Sequence, residues 1–98
     1  TPDEIALKAR QPYRLRLVNK GSGGHDFTAP DFFSAAAIAA SDQSLAPEGK
    51  VALAKGDSRE IRLVPLVAGE YRVVCTHFMH AVMGMEARVT VVDQAKAR

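Results

Sequence analysis

Apolar and polar residues alternate along several short stretches of the chain. Apolar residues occupy every second position over residues 5–9, and again over 13–17, where arginines separate Tyr13, Leu15 and Leu17. A two-residue period is typical of a strand with one buried face, because successive side chains of a strand point to opposite sides. The pattern therefore predicts two strands near the start of the chain.

The same alternation orients the side chains around the cysteine. In the strand that ends at Cys75, Arg72 should face water, which turns Tyr71, Val73 and Cys75 inward.

Residues 85–91 show the alternation again, with polar residues at the even-numbered positions. Met85 should therefore face inward as it opens this last strand. Cys75 closes one strand and Met85 opens the next, so a hairpin would aim both side chains at the same interior.

Two further strands are predicted over residues 51–54 and 59–64, and one helix over 30–43. Asp31 can cap the helix, and the alanines that follow favour it without an interrupting proline. Three apolar side chains of this helix are expected in the core: Phe32, Phe33 and Ile38. Short strands separated by turns predict an all-β sandwich with one inserted helix.

The loop over residues 75–85 concentrates the metal-binding side chains of the chain. It holds the single cysteine, two of the three histidines and all three methionines. Thiolate and thioether favour Cu(I), imidazole accepts either oxidation state, and Cys with two His and a weak Met makes an electron-transfer copper site. If the loop supplies Cys75, one His and one Met, a second imidazole is needed from elsewhere, and His25 is the only histidine outside the loop.

The order of these residues resembles the C-terminal part of the cupredoxins, especially the plastocyanin and pseudoazurin type. A Gly-Glu-Tyr run from Gly69 leads to Cys75, His80 and Met85, and Met85 is followed by x-x-Arg-Val-Thr-Val. Upstream, Asn19 and the Gly-His-Asp-Phe run around His25 are similar to the family's first-histidine region. The resemblance spans about residues 2–93. It implies a Greek-key, cupredoxin-like sandwich that binds one copper ion.

The resemblance also ranks the candidate ligands. His77 and His80 compete for the second imidazole position, and His80 has the separation from the cysteine seen in family members with longer loops. Met79, Met83 and Met85 compete for the axial position. Met85 is favoured by strand parity and by the x-x-Arg-Val-Thr-Val sequence that follows it. The predicted ligands are His25, Cys75, His80 and Met85.

The region around His25 departs from the family pattern at one position. A glycine-rich loop over residues 19–24 precedes the histidine, and glycine there allows the backbone to approach a buried site. The family usually has Asn after this histidine, bonded to the loop that carries the cysteine. This chain has Asp26, which puts that bridge and its charge in doubt.

The chain is expected to form a single cupredoxin-like domain over residues 1–98, ending in a polar tail at 93–98. Many cupredoxins carry one more strand before residue 5, so we expect a truncated chain or a fragment of a longer polypeptide. The net charge is +2, with acidic and basic residues interspersed, and no basic block is long enough to indicate nucleic-acid binding. No apolar run approaches the ~20 residues of a membrane span.

These observations predict a mononuclear type 1 copper protein that carries electrons by the outer-sphere route, not an enzyme. The resemblance implies a periplasmic location and a redox partner that docks near the loop with His80 and Met83; we expect a monomer. The alternative is a periplasmic copper carrier or copper-tolerance protein, in which the extra His77, Met79 and Met83 help to capture or hand over Cu(I).

Overall fold

Two β-sheets pack face to face in a computed structural model that describes residues 4–21, 23–74 and 86–93. The first sheet contains, in spatial order, β1 (Glu4–Lys8), β8 (Glu86–Val92), β7 (Gly69–Val74), β3 (His25–Thr28) and β5 (Lys50–Leu53). The second contains β2 (Tyr13–Val18), β6 (Ser58–Pro65) and β4 (Ala36–Ile38). Strands that are distant in sequence lie side by side, and this confirms the predicted Greek-key sandwich.

The alternation of buried and exposed residues follows the predicted parity. Every second residue of β1 and β2 is at least partly buried, and the arginines of β2 are exposed. β5 and β6 begin one residue earlier than predicted. Pairing is antiparallel between β2 and β6 and between β7 and β8, whereas β1 pairs with β8 in parallel.

The core lies between the sheets and draws on both of them. The fully or nearly fully buried apolar side chains of the strands are Val51, Leu53, Ile61, Leu63, Val73, Val89 and Val91. Phe32 and Phe33 are also buried, and Ile38 packs against the same cluster, so their predicted core role is confirmed. Each such side chain stabilises the fold by about 1.5–3 kcal/mol relative to an exposed position.

The predicted helix over residues 30–43 is wrong in its length. The helix α1 spans only Pro30–Ser34, and Asp31 lies in its first turn without making a capping hydrogen bond. Residues Ala36–Ile38 instead form β4, which pairs with β6, and two 3-10 helices follow at Ala40–Leu45 and Pro47–Gly49. The helix preference of alanine is less than 1 kcal/mol per residue, and tertiary contacts override it. Here β4 satisfies the backbone groups along one side of β6.

An ion pair fixes the first 3-10 helix to the second sheet. Asp42, which is only 9% exposed, accepts hydrogen bonds from the backbone N–H and the Nε of Arg62, both at 3.0 Å. The hydrogen bond from the Arg62 side chain is the main cause that lowers the pKa of Asp42 to about 2. The same bond raises the pKa of Arg62.

The Asp42 carboxylate should make the stability of the fold depend on pH below pH 4. Because its pKa is lower in the folded chain, its contribution is complete above the usual carboxyl pKa of about 4 and is lost as the pH falls through about 2. Asp42→Asn should be less stable than wild type at pH 6, and the difference should shrink toward pH 2. Chemical denaturation at several pH values measures this, with the exposed Asp31→Asn as the matched control. A constant difference between wild type and Asp42→Asn would contradict the assignment.

Candidate metal centre

Three strands of the five-stranded sheet meet at one end. β7 lies between β3 and β8, with Thr28 opposite Val74 and Val74 opposite Glu86. Because both pairings are antiparallel, β3 begins, β7 ends and β8 begins at the same end of the sheet. His25, the first residue of β3, lies three residues beyond Thr28, about 10 Å further along the strand.

Of the four predicted ligands, the structure describes one. His25 is partly buried and pairs with Leu53 of β5. Cys75, His80 and Met85 lie outside the described residues. The competing candidates of the same loop also lie outside them: His77, Met79 and Met83. The structure thus places His25 at the same end of the sheet as the two strand ends that flank the loop, and the ligand set itself stays a prediction.

The orientation of the flanking strands agrees with the predicted parity. Val73 is buried, Tyr71 is partly buried and Arg72 is exposed. In β8, Val89 and Val91 are buried and Arg88 is exposed. The predicted parity therefore holds from Tyr71 to Val73 and from Ala87 to Val89, and the inward orientation of Cys75 and Met85 stays a prediction.

His25 lies on the interior side of its own strand. The two-residue period puts it on the same face of β3 as Phe27. The Phe27 ring packs edge-on against Phe33 of the core, with 5.9 Å between the ring centroids.

The residue next to His25 faces the other way and carries a buried charge. The Asp26 side chain is 6% exposed, its Oδ2 lies 3.8 Å from Nζ of Lys50, and its Oδ1 accepts a hydrogen bond of 3.0 Å from Thr28 Oγ1. Lys50 thus balances the negative charge that this chain has where the family usually has a neutral Asn. A buried carboxylate of this kind is tolerated because it is paired and hydrogen-bonded.

A buried asparagine organises the loop before His25. Asn19 is 4% exposed, and its Nδ2 donates to the carbonyl oxygens of Gly23, Leu53 and Ala54 at 2.8–3.1 Å. Its Oδ1 accepts a hydrogen bond of 2.9 Å from the backbone N–H of Gly21. This role of Asn19 was not predicted from the sequence. A polar residue that ends an alternating strand and opens a glycine-rich loop is, however, a signal for a loop-organising side chain.

The loop then passes close to the His25 ring. A Cβ atom added at Gly21 would lie 2.9 Å from Nε2 and 3.6 Å from Cδ2 of His25. This distance is shorter than real Cβ contacts, so only glycine leaves the ring in its place without a shift. The expected close approach of backbone to His25 is therefore made by Gly21.

Comparison with known proteins places this architecture in a family. The model of the cupredoxin-like domain family matches residues 1–91. The chain belongs to this family. Cupredoxins are electron carriers, and the family contains the blue-copper proteins.

Solved structures of cupredoxin-like proteins share the fold of this chain. The dithionite-reduced auracyanin of the photosynthetic bacterium Roseiflexus castenholzii is 16% identical, with a TM-score of 0.66 over 92% of this chain and 84% of that one. Auracyanin B is 20% identical, with a TM-score of 0.61 over 92% of this chain and 77% of that one. No curated protein matches the sequence. Within the described residues, no helix has the length and apolar character that crossing a membrane requires.

The residues of this cupredoxin fit a copper ion by their chemistry and by the position of their strands. The segment that joins β7 to β8 supplies one thiolate, two imidazoles and three thioethers, which are the donors that copper prefers. A third imidazole, that of His25, lies at the end of the sheet where this segment leaves and re-enters. A mononuclear copper site at this end is therefore compatible with the fold.

Proposed function

We propose that this cupredoxin is a mononuclear type 1 copper protein that transfers electrons by the outer-sphere route. The observation that carries the proposal is that β3 begins, β7 ends and β8 begins at the same end of the sheet, with His25 the first residue of β3. The segment between the last two contains the remaining copper donors of the chain. Membership in a family of electron carriers supports the same function.

In the proposed site, His25, Cys75 and His80 would supply the three strong donors to copper, and Met85 would supply a weak thioether donor. A copper ion bound there would supply one-electron chemistry by cycling between Cu(II) and Cu(I). The two sheets hold the ligand-bearing strands in a packed and hydrogen-bonded frame, which limits the rearrangement that a change of charge requires. The thioether and any hydrogen bonds to the cysteine sulfur would tune the reduction potential of such a site.

We further propose that His80 is the electron port and that a redox partner docks on the loop around His80 and Met83. Copper delivery is the competing function, favoured by the additional His77, Met79 and Met83 in the same segment. The two functions differ in their rates. Fast electron self-exchange with slow copper release supports electron transfer, whereas fast release to a Cu(I) chelator supports delivery.

Cys75 should be the thiolate ligand that gives an intense visible charge-transfer band to the Cu(II) protein. Cys75→Ser should remove this band and weaken copper binding strongly, because a hydroxyl is a much poorer donor for copper than a thiolate. Optical and EPR spectra of copper-loaded wild type and variant measure the effect. A serine variant with the wild-type spectrum would show that the cysteine is not a ligand.

The equatorial imidazoles should be those of His25 and His80. Alanine at either position should distort or abolish the Cu(II) spectrum, because one of three strong donors is lost. His77→Ala, the matched control from the same loop, should leave the spectrum nearly unchanged. If His77→Ala destroyed the site while His80→Ala preserved it, the assignment of the loop histidines would be wrong.

Met85 should be the axial ligand and should set the reduction potential. Met85→Leu should retain copper and raise the potential, because the lost donation favours Cu(II) more than Cu(I), and Met85→Gln should lower it. The same two changes at Met83 serve as controls and should shift the potential much less. Redox titration of the four variants decides the assignment, and a larger response at Met83 would move the axial ligand there.

A further inference from the structure

Asn19 connects the loop before His25 to the turn between β5 and β6. Its side chain reaches Leu53 and Ala54 at the end of β5, and its backbone pairs with Asp57 and Gly56 of the turn, at 2.9 and 3.1 Å. The two N–H groups of the amide serve three carbonyl oxygens, and the amide oxygen is bonded to Gly21 N–H. An asparagine with both ends of its amide bonded inside the fold admits one orientation.

Gly21 transmits this orientation to His25. The Asn19 Oδ1 holds the Gly21 backbone at 2.9 Å, and the Cα of Gly21 faces the Nε2 and Cδ2 edge of the imidazole. The position of Gly21 therefore limits the rotation of the ring from one side.

We propose that Asn19 and Gly21 are positioning residues for His25. Asn19 fixes the loop to the β5–β6 turn, and the bare Cα of Gly21 sets the rotation of the imidazole in the metal-free chain. The ring then has one orientation before a metal binds. Metal binding therefore costs less conformational entropy of the side chain. The effect on copper rests on the proposed function, whereas the effect on the metal-free ring does not.

The two glycines at positions 21 and 23 allow a matched test. An added Cβ at Gly21 would meet the His25 ring, whereas at Gly23 it would meet nothing within 4 Å, and neither position has a left-handed backbone. In the metal-free protein, Gly21→Ala should shift the His25 ring signals in NMR spectra and change their NOE contacts with the loop. Gly23→Ala should leave both unchanged.

Copper binding gives a second, separate measurement. Gly21→Ala should weaken the affinity for Cu(I) by about 10-fold or more, in the range found when partners that orient a metal ligand are changed. Gly23→Ala should stay within about 2-fold of wild type, a difference of less than 0.5 kcal/mol. Competition with a chromophoric Cu(I) chelator measures both.

Asn19 is tested against a control that perturbs the same turn from the other side. Asn19→Ala removes four side-chain hydrogen bonds. Asp57→Ala removes the bond that Asp57 Oδ2 accepts from the backbone N–H of Ala54 and the ion pair of Asp57 with Arg59. Both should lower the melting temperature. Only Asn19→Ala should also change the His25 ring signals and weaken Cu(I) binding, and a folded fraction checked by circular dichroism accompanies each measurement.

The outcomes separate this proposal from the proposed function. If the ring signals of Gly21→Ala match those of Gly23→Ala, the positioning role is wrong, whatever the protein binds. If the ring signals differ as expected but wild type does not bind copper, the positioning role stands and the copper function fails. If Asn19→Ala is unfolded, the Gly21 and Gly23 pair still decides the matter.

Discussion

The register between β7 and β8 is the constraint on which the end of the molecule that carries His25 depends. The two strands pair continuously from Gly69 opposite Val91 to Val74 opposite Glu86. A slip of one residue would move every inward side chain to the outer face, and the buried Val73 and Val89 resist such a slip. The core thus controls which side chains of the adjoining segment can reach the interior beside His25.

The strands could be predicted from the sequence because their signal is local. In β2, for example, a two-residue period interrupted by arginines is enough to tell the buried face from the exposed one. The predicted helix over 30–43 was wrong because the contacts that decide the structure of this segment are not local. Ala36–Ile38 pair with residues 63–65 of β6, and the ion pair of Asp42 with Arg62 holds the segment that follows. The alanine-rich sequence itself gives no sign of its pairing with β6 or of the ion pair with Arg62.

The candidate site, too, could be predicted only where its signal is local. The residue types that can bind copper are recognisable from composition and spacing, whereas the ligand set itself stays a prediction, because only His25 of the four lies among the described residues. The environment of His25 could be predicted only in part, because the glycine-rich loop indicated a close backbone approach but not the contacts that fix it. It depends on Asn19, whose amide contacts the turn more than 30 residues away in sequence, and on a glycine chosen for its missing Cβ. The ion pair of Asp26 could not be predicted either, because its partner Lys50 comes from a neighbouring strand.

The parallel pairing of β1 with β8 has a consequence for how the chain folds. Glu4 and Thr90, which share a hydrogen bond of 2.7 Å, are separated by 86 residues, and Arg10 bonds Asp93 across 83 residues. Bringing such distant segments together costs loop-closure entropy before any contact compensates for it. Sandwiches dominated by pairings of this kind fold in milliseconds to seconds, far more slowly than helical domains of similar size. The topology that places β8 between β1 and β7 therefore commits the chain to slow folding, because β8 pairs with a strand more than 80 residues away in sequence.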